Sequence, residues 1–344
     1  MPQTVPVPTQ APGVRDSKKV QTTEESAESA DALSASALAD PLADPLVTAG
    51  ESEGGGPDYG TNPTALEKHD GVAEWVDFTT SGTLFVDDPT PADVVQSHIN
   101  DCFFVATIAS VAQSNPDFIK GMVKEDSPGK YRVRYYAKDD KGKFQPTWIA
   151  VDASLPAKDG MPYYAYSENK KDGKIELWPS ILEKAYAKLK GQYKDINWGN
   201  TVYSFEAVFG TAGDKVDTAK TEADVMWDQT KKALDANKPV VASTGKHVIS
   251  VLSYTETESD KKVKVRDQAK NSGLPGTSSG SDTGGSTGPK DRTETMTWEA
   301  FRGKFTYVRF TSLPDAPSAP ELESDGLGST DLLKPITDSD TVVA

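Results

Sequence analysis

The 344-residue sequence contains only one cysteine, Cys102, and only three histidines. A single cysteine excludes an internal disulfide, so Cys102 is either an inert buried thiol or a reactive one. Basic residues are also scarce, since 37 Lys and Arg stand against 52 Asp and Glu, for a net charge of -15. Nucleic acids and anionic membranes bind through a basic footprint, so this charge argues against both as partners. An acidic protein of this kind suits cations.

Long apolar runs are missing as well. No stretch reaches the length of a membrane span, and the N-terminus lacks the basic, apolar and small-residue succession of a secretory signal. We therefore expect no membrane span. The protein is expected to be cytoplasmic, or exported without a recognisable signal peptide.

The two ends of the chain lack the apolar residues that a core requires. No aromatic residue precedes Tyr59, and residues 1–61 are rich in Pro, Ala, Ser, Thr, Asp and Glu. Residues 314–344 have a similar composition, and all six Trp lie between these two segments. Such segments bury too little apolar surface to offset the entropy of ordering. We predict disordered tails at 1–61 and 314–344 around a folded domain at 62–313.

The folded domain changes character near residue 218. Before it, the polar pair Asn100-Asp101 is able to cap a buried helix that starts at Cys102, and residues 178–190 predict an amphipathic helix that ends at Gly191. Paired strands are predicted in the same half, at 131–137 and 147–156. After it, one helix near 223–237 is followed mainly by strands. This order predicts an α+β fold with a helical N-lobe at 62–217 and a β-rich C-lobe at 218–313.

Cys102 and His247 fall in different predicted lobes, so they are expected to meet at a cleft between them. A thiol attacks a carbonyl as thiolate, and the first turn of a helix favours the anion through its unpaired backbone N–H groups and its dipole. The plainer interpretation of Cys102 is an unreactive thiol in an apolar helix, which is the common fate of a free cysteine. The surrounding residues favour the reactive alternative.

Several motifs carry that preference. Gln96 stands six positions before the nucleophile in Gln96-Ser-His-Ile-Asn-Asp-Cys102, and His247-Val-Ile-Ser-Val251 opens a strand. The helix after Glu176-Leu-Trp178 runs on through Leu-Glu-Lys-Ala-Tyr-Ala-Lys to Gly191. Each of these segments resembles its counterpart in the calpain family of cysteine proteases, and the resemblance covers about 62–313.

The resemblance implies a papain-like two-lobed protease core that cleaves protein or peptide substrates. It assigns Cys102 as nucleophile, His247 as base, and the Gln96 side-chain amide with the Cys102 backbone N–H as donors to the oxyanion. The family's Arg-Asn-Pro-Trp-Gly motif is not matched, so two residues compete to orient His247. Asp267 has the better local match in Val265-Arg266-Asp267, whereas Asn271 keeps the residue type. A catalytically silent calpain-like module that binds a protein partner is therefore the alternative function.

The resemblance also implies a calcium site made of two backbone carbonyls and two carboxylates. The matching positions are Val86, Asp88, Asp93 and Glu176, and oxygen ligands of this kind suit Ca²⁺. The plainer interpretation is a solvated acidic loop around Asp87, Asp88 and Asp93. Substrate preference and oligomeric state have no signal in the sequence.

Overall fold

The structure is a computed structural model that describes residues 56–66, 74–270 and 292–315. These residues fall within one compact unit, Asp44–Ala344. The predicted disordered tails lie outside the described residues, except for 56–61 and 314–315. Asn271, the second candidate for orienting His247, also lies outside them. No helix in the described part of the chain is long and apolar enough to cross a membrane.

Helices and strands are mixed along the described chain. Its α-helices are α1 (Cys102–Ser114), α2 (Pro116–Met122), α3 (Trp178–Lys190), α4 (Thr201–Phe209), α5 (Ala223–Asp235) and α6 (Trp298–Lys304). Its strands are β1 (Glu74–Asp77), β2 (Gly82–Thr83), β3 (Val123–Ser127), β4 (Lys130–Lys138), β5 (Phe144–Asp152), β6 (Ser154–Lys158), β7 (Met161–Pro162), β8 (Lys170–Lys171), β9 (Lys174–Glu176), β10 (Asp214–Asp217), β11 (Val240–Ser243), β12 (Val248–Glu256), β13 (Lys261–Arg266), β14 (Thr293–Thr297) and β15 (Tyr307–Phe310). This mixture is consistent with the predicted α+β class.

The predicted helix at Cys102 is confirmed, but the prediction that the Asn100-Asp101 pair caps it through a side chain is wrong. Asp101 occupies the N-cap position without a side-chain hydrogen bond to the helix. The side chain is instead fully buried. At the other end, the Asn115 side chain accepts a hydrogen bond from Phe118 N at 3.0 Å and caps α2, whose first residue is Pro116. The short helix α2 was not predicted, because the Asn115-Pro116 pair indicates the end of a helix.

Helix α3 is confirmed at Trp178–Lys190, where Gly191 adopts φ 113° and ends it. The prediction that this helix is amphipathic is wrong, because Glu183 and Lys184 are both buried. The Lys184 ammonium donates to Asp152 Oδ1 at 2.6 Å and to the Ser154 carbonyl at 2.7 Å. Those acceptors take the place of water, so a charged residue occupies the inner face of the helix.

Four sheets surround the helices. The predicted strand pair is confirmed as β4 and β5, which are antiparallel with Tyr131 opposite Val151. The predicted strand 147–156 is, however, divided, because β6 leaves that sheet after Ala153 and pairs with β1. The largest sheet has six strands in the order β10-β15-β11-β12-β13-β14. The site residues of the second half of the chain, His247 and Asp267, lie at the ends of its strands β12 and β13.

Two hydrophobic clusters form the core. The larger contains α1, α3 and α4, and the smaller lies between the six-stranded sheet, α5 and α6. Helix α1 also packs on β12, where Ser250 Oγ donates to the Ala106 carbonyl at 3.0 Å. A second connection is made by Gln96, whose N–H donates to the Gln268 carbonyl at 2.7 Å and whose carbonyl accepts from Lys270 N at 2.8 Å. These contacts bring the start of α1 beside the start of β12.

Candidate active site

Cys102 is the first residue of α1 and is partly exposed. The next ten residues of the helix are buried, beginning with Phe103 and Phe104. Phe104 N and Val105 N both donate to the Asp101 carbonyl, at 2.7 and 3.1 Å, so the helix begins directly before them and Cys102 lies at its N-terminus. The fold therefore presents the thiol at the positive end of a helix that is fixed in the core.

His247 lies immediately before β12, at the end of a tight turn. Thr244 N donates to the His247 carbonyl at 2.9 Å, and His247 N donates to Thr244 Oγ1 at 3.0 Å. Gly245, inside this turn, has φ 90°, a conformation that glycine adopts without a Cβ clash. The turn fixes the backbone of His247 on both sides and leaves its ring to face the cleft.

Asp267 lies directly after β13, the neighbour of β12. Because the two strands are antiparallel with Ser250 opposite Arg266, the residue after β13 comes level with the residues at the start of β12. The His247 Nε2 and Asp267 Oδ1 atoms are 2.9 Å apart. Asp267 Oδ1 also accepts from Ala269 N at 3.0 Å, which holds the carboxylate in place.

These contacts set the protonation of His247. The hydrogen bond with Asp267 is the largest cause that raises the pKa of His247, and a hydrogen bond with the Cys102 side chain is the second. Burial lowers the pKa, but the result is still raised to about 10. Since Nε2 is engaged by Asp267, Nδ1 is the ring nitrogen that remains for Cys102. The imidazole is therefore a cation at neutral pH in this arrangement.

Gln96 lines the same cleft as Cys102 and His247, and its side chain is buried. Its amide nitrogen Nε2 donates to the Ile99 carbonyl at 2.8 Å and lies 3.2 Å from Asp101 Oδ1. Both amide hydrogens are thus directed at acceptors within the 96–101 segment. The structure places the predicted oxyanion donor at the cleft with its N–H groups turned toward its own loop.

The sequence analysis missed a buried carboxyl pair beneath Gln96. Burial raises the pKa of Asp101 to about 7, and burial together with the neighbouring Asp101 charge raises the pKa of Glu183. Both Glu183 oxygens accept from Ala165 N, at 3.0 and 3.1 Å, while Asp101 Oδ2 has no hydrogen-bond donor. One proton held between the two carboxyl groups supplies that missing donor. The only sequence signal was a glutamate among the apolar residues of α3.

The cleft has a volume of about 420 Å³, and no Asp or Glu is among the described residues that line it. The residues that line it are Gln96, Ser97, His98, Ile99, Asn100, Cys102, Trp198, Lys246, His247, Ala269 and Lys270. His98 is exposed, and its ring stacks on Tyr163 at a centroid distance of 3.9 Å. Trp198 was not singled out from the sequence.

Two of the four predicted calcium ligands are brought together. The Asn169 amide bridges Asp93 and Glu176, with Nδ2 at 2.6 Å from Asp93 Oδ1 and 3.2 Å from Glu176 Oε2. Both carboxylates are buried. Burial raises the pKa of each, and the charge of Asp93 raises that of Glu176 further. Two buried carboxylates that one amide holds together supply oxygen ligands of the kind that suit Ca²⁺.

The other two predicted ligands, Val86 and Asp88, are expected to contribute backbone carbonyls, and the contacts observed for them involve other atoms. Val86 directs its N–H at Glu176 Oε1, at 2.9 Å. The exposed Asp88 side chain pairs with Lys120 at 2.5 Å. No group of three or more His, Cys, Asp or Glu in a metal-binding arrangement occurs among the described residues. A site of two carboxylates and two backbone carbonyls would not form such a group.

A thiol at a helix start, an imidazole with a raised pKa and a buried carboxylate behind it define an enzyme class that uses a cysteine nucleophile. A family model described as "Calpain family cysteine protease" matches residues 67–268, more than half of the chain. The chain belongs to the calpain family. The match includes Cys102, His247 and Asp267.

Individual relatives agree with this assignment. The chain is 30% identical over 207 residues to the calpain-type cysteine protease DEK1 of Arabidopsis thaliana, covering 53% of this chain and 9% of that protein. It is 29% identical over 221 residues to the calpain-type cysteine protease ADL1 of Oryza sativa, covering 57% and 10%. With human calpain-8 it shares 30% identity over 186 residues, covering 52% and 24%. The chain thus matches only a small part of the length of each relative.

Proposed function

We propose that this protein is a calcium-dependent cysteine endopeptidase with a papain-like, two-lobed core. The observation that carries the proposal is the position of His247, which binds Asp267 through Nε2 and contacts the Cys102 side chain. In the proposed architecture, the larger hydrophobic cluster is the N-lobe and the six-stranded sheet belongs to the C-lobe. The substrate lies across the cleft between them.

In the proposed reaction, His247 holds the proton of the Cys102 thiol as the imidazolium, and the thiolate Sγ attacks the carbonyl carbon of a peptide bond. The imidazolium then transfers that proton to the leaving nitrogen as the C–N bond breaks, which leaves a thioester on Cys102. A water molecule, deprotonated by His247, attacks the thioester and releases the acid. Asp267 keeps the ring oriented and stabilises its cationic form throughout.

Charge that develops on the carbonyl oxygen needs donors that are already in position. The backbone N–H of Cys102 is one such donor in this proposal, because Cys102 precedes Phe104 and Val105, the residues whose N–H groups donate to the Asp101 carbonyl. The second is Gln96 Nε2, which must exchange its contact with Asp101 for one with the oxyanion. The longer of its two hydrogen bonds, at 3.2 Å, is the one to Asp101.

Calcium is proposed to act through the segment that carries both a carboxylate and the oxyanion donor. Asp93 and Gln96 are only three residues apart. The Arg266 guanidinium donates to the carbonyls of Ala92 and Val94, at 3.0 and 2.9 Å, and Arg266 directly precedes Asp267. Asp93 and Glu176, with the carbonyls of Val86 and Asp88, would hold the cation, and its positive charge would anchor this segment. An anchored segment would keep Gln96 and Asp267 in position relative to each other.

One observation favours the alternative of a catalytically silent module that binds a protein partner. Both Gln96 amide hydrogens point at acceptors in residues 99–101, so the oxyanion donor is turned away from the position it needs. The two functions differ in whether the cleft turns substrate over. The geometry of the Cys102, His247 and Asp267 side chains favours the enzyme.

The proposal is tested by incubating an unstructured protein substrate with the wild type, with and without Ca²⁺, and with Cys102→Ala. Cleavage by the wild type that depends on Ca²⁺ and disappears in Cys102→Ala is the expected result. Equal cleavage by the two proteins removes the enzyme function. Binding of the substrate without any cleavage supports the silent module.

The calcium part has a separate readout. Calorimetry is expected to show Ca²⁺ binding by the wild type and its loss in Asp93→Ala. Asp117→Ala is the control, because Asp117 is an exposed carboxylate that pairs with Lys120, as Asp88 does, and is not a predicted ligand. No binding at millimolar Ca²⁺, or binding that Asp93→Ala leaves unchanged, contradicts the proposed site.

A further inference from the structure

Trp198 adopts a backbone conformation that tryptophan rarely takes. Its φ is 76°, in the left-handed region where a Cβ meets the backbone. The other described non-glycine residues with positive φ are Asp159, Asp172 and Asn237. Asp and Asn tolerate this region because their short polar side chains bond locally, whereas a bulky aromatic is an outlier. Such outliers cluster at functional sites, where surrounding structure holds them.

The surrounding structure that holds Trp198 lies on both sides of Cys102. Trp198 N donates to the Asn100 carbonyl at 2.9 Å. The Asn197 side-chain oxygen accepts from Asn100 N at 3.0 Å and from Asn100 Nδ2 at 3.1 Å. On the other side, a Cβ on Gly199 would lie 2.5 Å from the Phe103 ring, so this residue packs as glycine only. These contacts fix the loop against the start of α1 and hold the backbone of Trp198 in its strained conformation.

The geometry of the loop does not require the indole ring. A glycine at position 198 would adopt φ 76° freely. Packing does not explain the ring either, because Trp198 is 65% exposed, the highest value among the large hydrophobic side chains that the structure describes as exposed. The ring lines the same cleft as Cys102 and His247. An exposed aromatic surface held rigidly beside a nucleophile is a contact surface for what enters the cleft.

Charge on the cleft wall selects among the side chains that an indole binds. An indole face attracts both apolar groups and cations. Lys246 and Lys270 also line the cleft, whereas no Asp or Glu does so within the part of the chain that the structure describes. Both lysines are exposed, and their ammonium groups disfavour an arginine or lysine stacked on the ring because like charges repel. They leave an uncharged side chain unaffected.

We propose that Trp198 is a specificity-determining residue whose indole binds a large uncharged aliphatic or aromatic side chain of the peptide, close to the bond that is cleaved. This inference rests on the proposed function, since it names the side-chain class that the same cleft takes. In this proposal, the strained backbone of Trp198 holds the indole as a rigid apolar surface next to the nucleophile.

The test uses peptides that are identical except for Phe, Ala or Arg at one position, scanned across both sides of the cleaved bond. The full-length wild type is compared with Trp198→Ala, which removes the ring and keeps a Cβ, and with Trp198→Phe, which keeps an aromatic ring. At one position we expect the Phe-to-Ala ratio of kcat/KM to fall about 10-fold in Trp198→Ala and to be largely restored in Trp198→Phe. Trp75→Ala is the control, because Trp75 is exposed and lies outside the cleft.

A uniform fall in kcat/KM for all peptides, with unchanged ratios, means a structural role and overturns the proposal. Binding of the same peptides to the inactive Cys102→Ala protein separates this inference from the proposed function. A preference for the Phe peptide that Trp198→Ala abolishes supports the specificity role even if the wild type cleaves nothing. Equal affinities for the Phe, Ala and Arg peptides overturn the specificity role whether or not cleavage occurs.

Discussion

Replacing Asp267 with asparagine tests what keeps His247 protonated. Asparagine has nearly the same shape and still offers an oxygen to the imidazole, but it carries no charge. A hydrogen bond to a charged group contributes about 1.5–3 kcal/mol and a neutral one about 0.5–1.5 kcal/mol. The His247 side chain is 36% exposed, so solvent screens part of this difference. We therefore take roughly 1 kcal/mol for the lost charge, which corresponds to about one pKa unit.

The direction follows from the raised pKa of His247, which is about 10. The imidazolium is present below that pH and is lost as the pH rises through it. Asp267→Asn lowers the pKa, so the alkaline limb of kcat/KM is expected to move to lower pH by about one unit. The stability that the pair contributes is likewise complete below the unfolded pKa of about 6.5 and disappears as the pH rises through the folded value.

The assay is the pH dependence of kcat/KM for a peptide substrate, between pH 6 and pH 11, with thermal melting of each protein as a check on folding. Asp126→Asn is the matched control. Asp126 is a buried carboxylate that binds Arg132 at 2.7 Å and has no contact with His247. The control is expected to lower the melting temperature and to leave the alkaline limb in place. An alkaline limb of Asp267→Asn that coincides with that of the wild type refutes the role given to Asp267.

Three further predictions concern the surroundings of the site. The folded pKa of Asp101 is raised to about 7, so the ionisation of this group costs stability as the pH rises from about 4 to 7. Asp101→Asn is therefore expected to flatten the dependence of the melting temperature on pH across that range. Gly199→Ala is expected to lower kcat/KM and the melting temperature together, because the new Cβ would meet the Phe103 ring at 2.5 Å; unchanged values of both disprove the close packing. A fragment of residues 60–315 is expected to show one cooperative thermal transition, and a broad, non-cooperative melt contradicts the predicted domain limits.

The sequence predicted those parts of the fold that depend on local patterns. The end of α3 at Gly191 and the pairing of β4 with β5 follow from glycine and alternation, and α1 starts at Cys102 as predicted, although without the predicted side-chain cap. Long-range partners were not predictable in this way. Glu183 and Lys184 lie on the inner face of α3 only because Ala165, Asp152 and Ser154 supply partners from distant segments.

The candidate site shows the same division. Strand period two left Asp267 and Asn271 both able to face His247. The structure brings Asp267 to 2.9 Å because β13 pairs with β12 in the observed register. Trp198 was missed because a tryptophan in a loop carries no period or motif. Its importance depends on a positive φ and on contacts with Asn100 and Phe103, which only three-dimensional structure reveals.

The central claim is that His247, held by Asp267, activates the Cys102 thiol. Alkylation by iodoacetamide measures this directly, because the chain has one cysteine and each incorporated group reports on Cys102 alone. The wild type is expected to react at pH 6 about 10-fold faster than His247→Ala, since the imidazolium stabilises the thiolate. Equal alkylation rates in the two proteins, with both folded by thermal melting, would contradict the account.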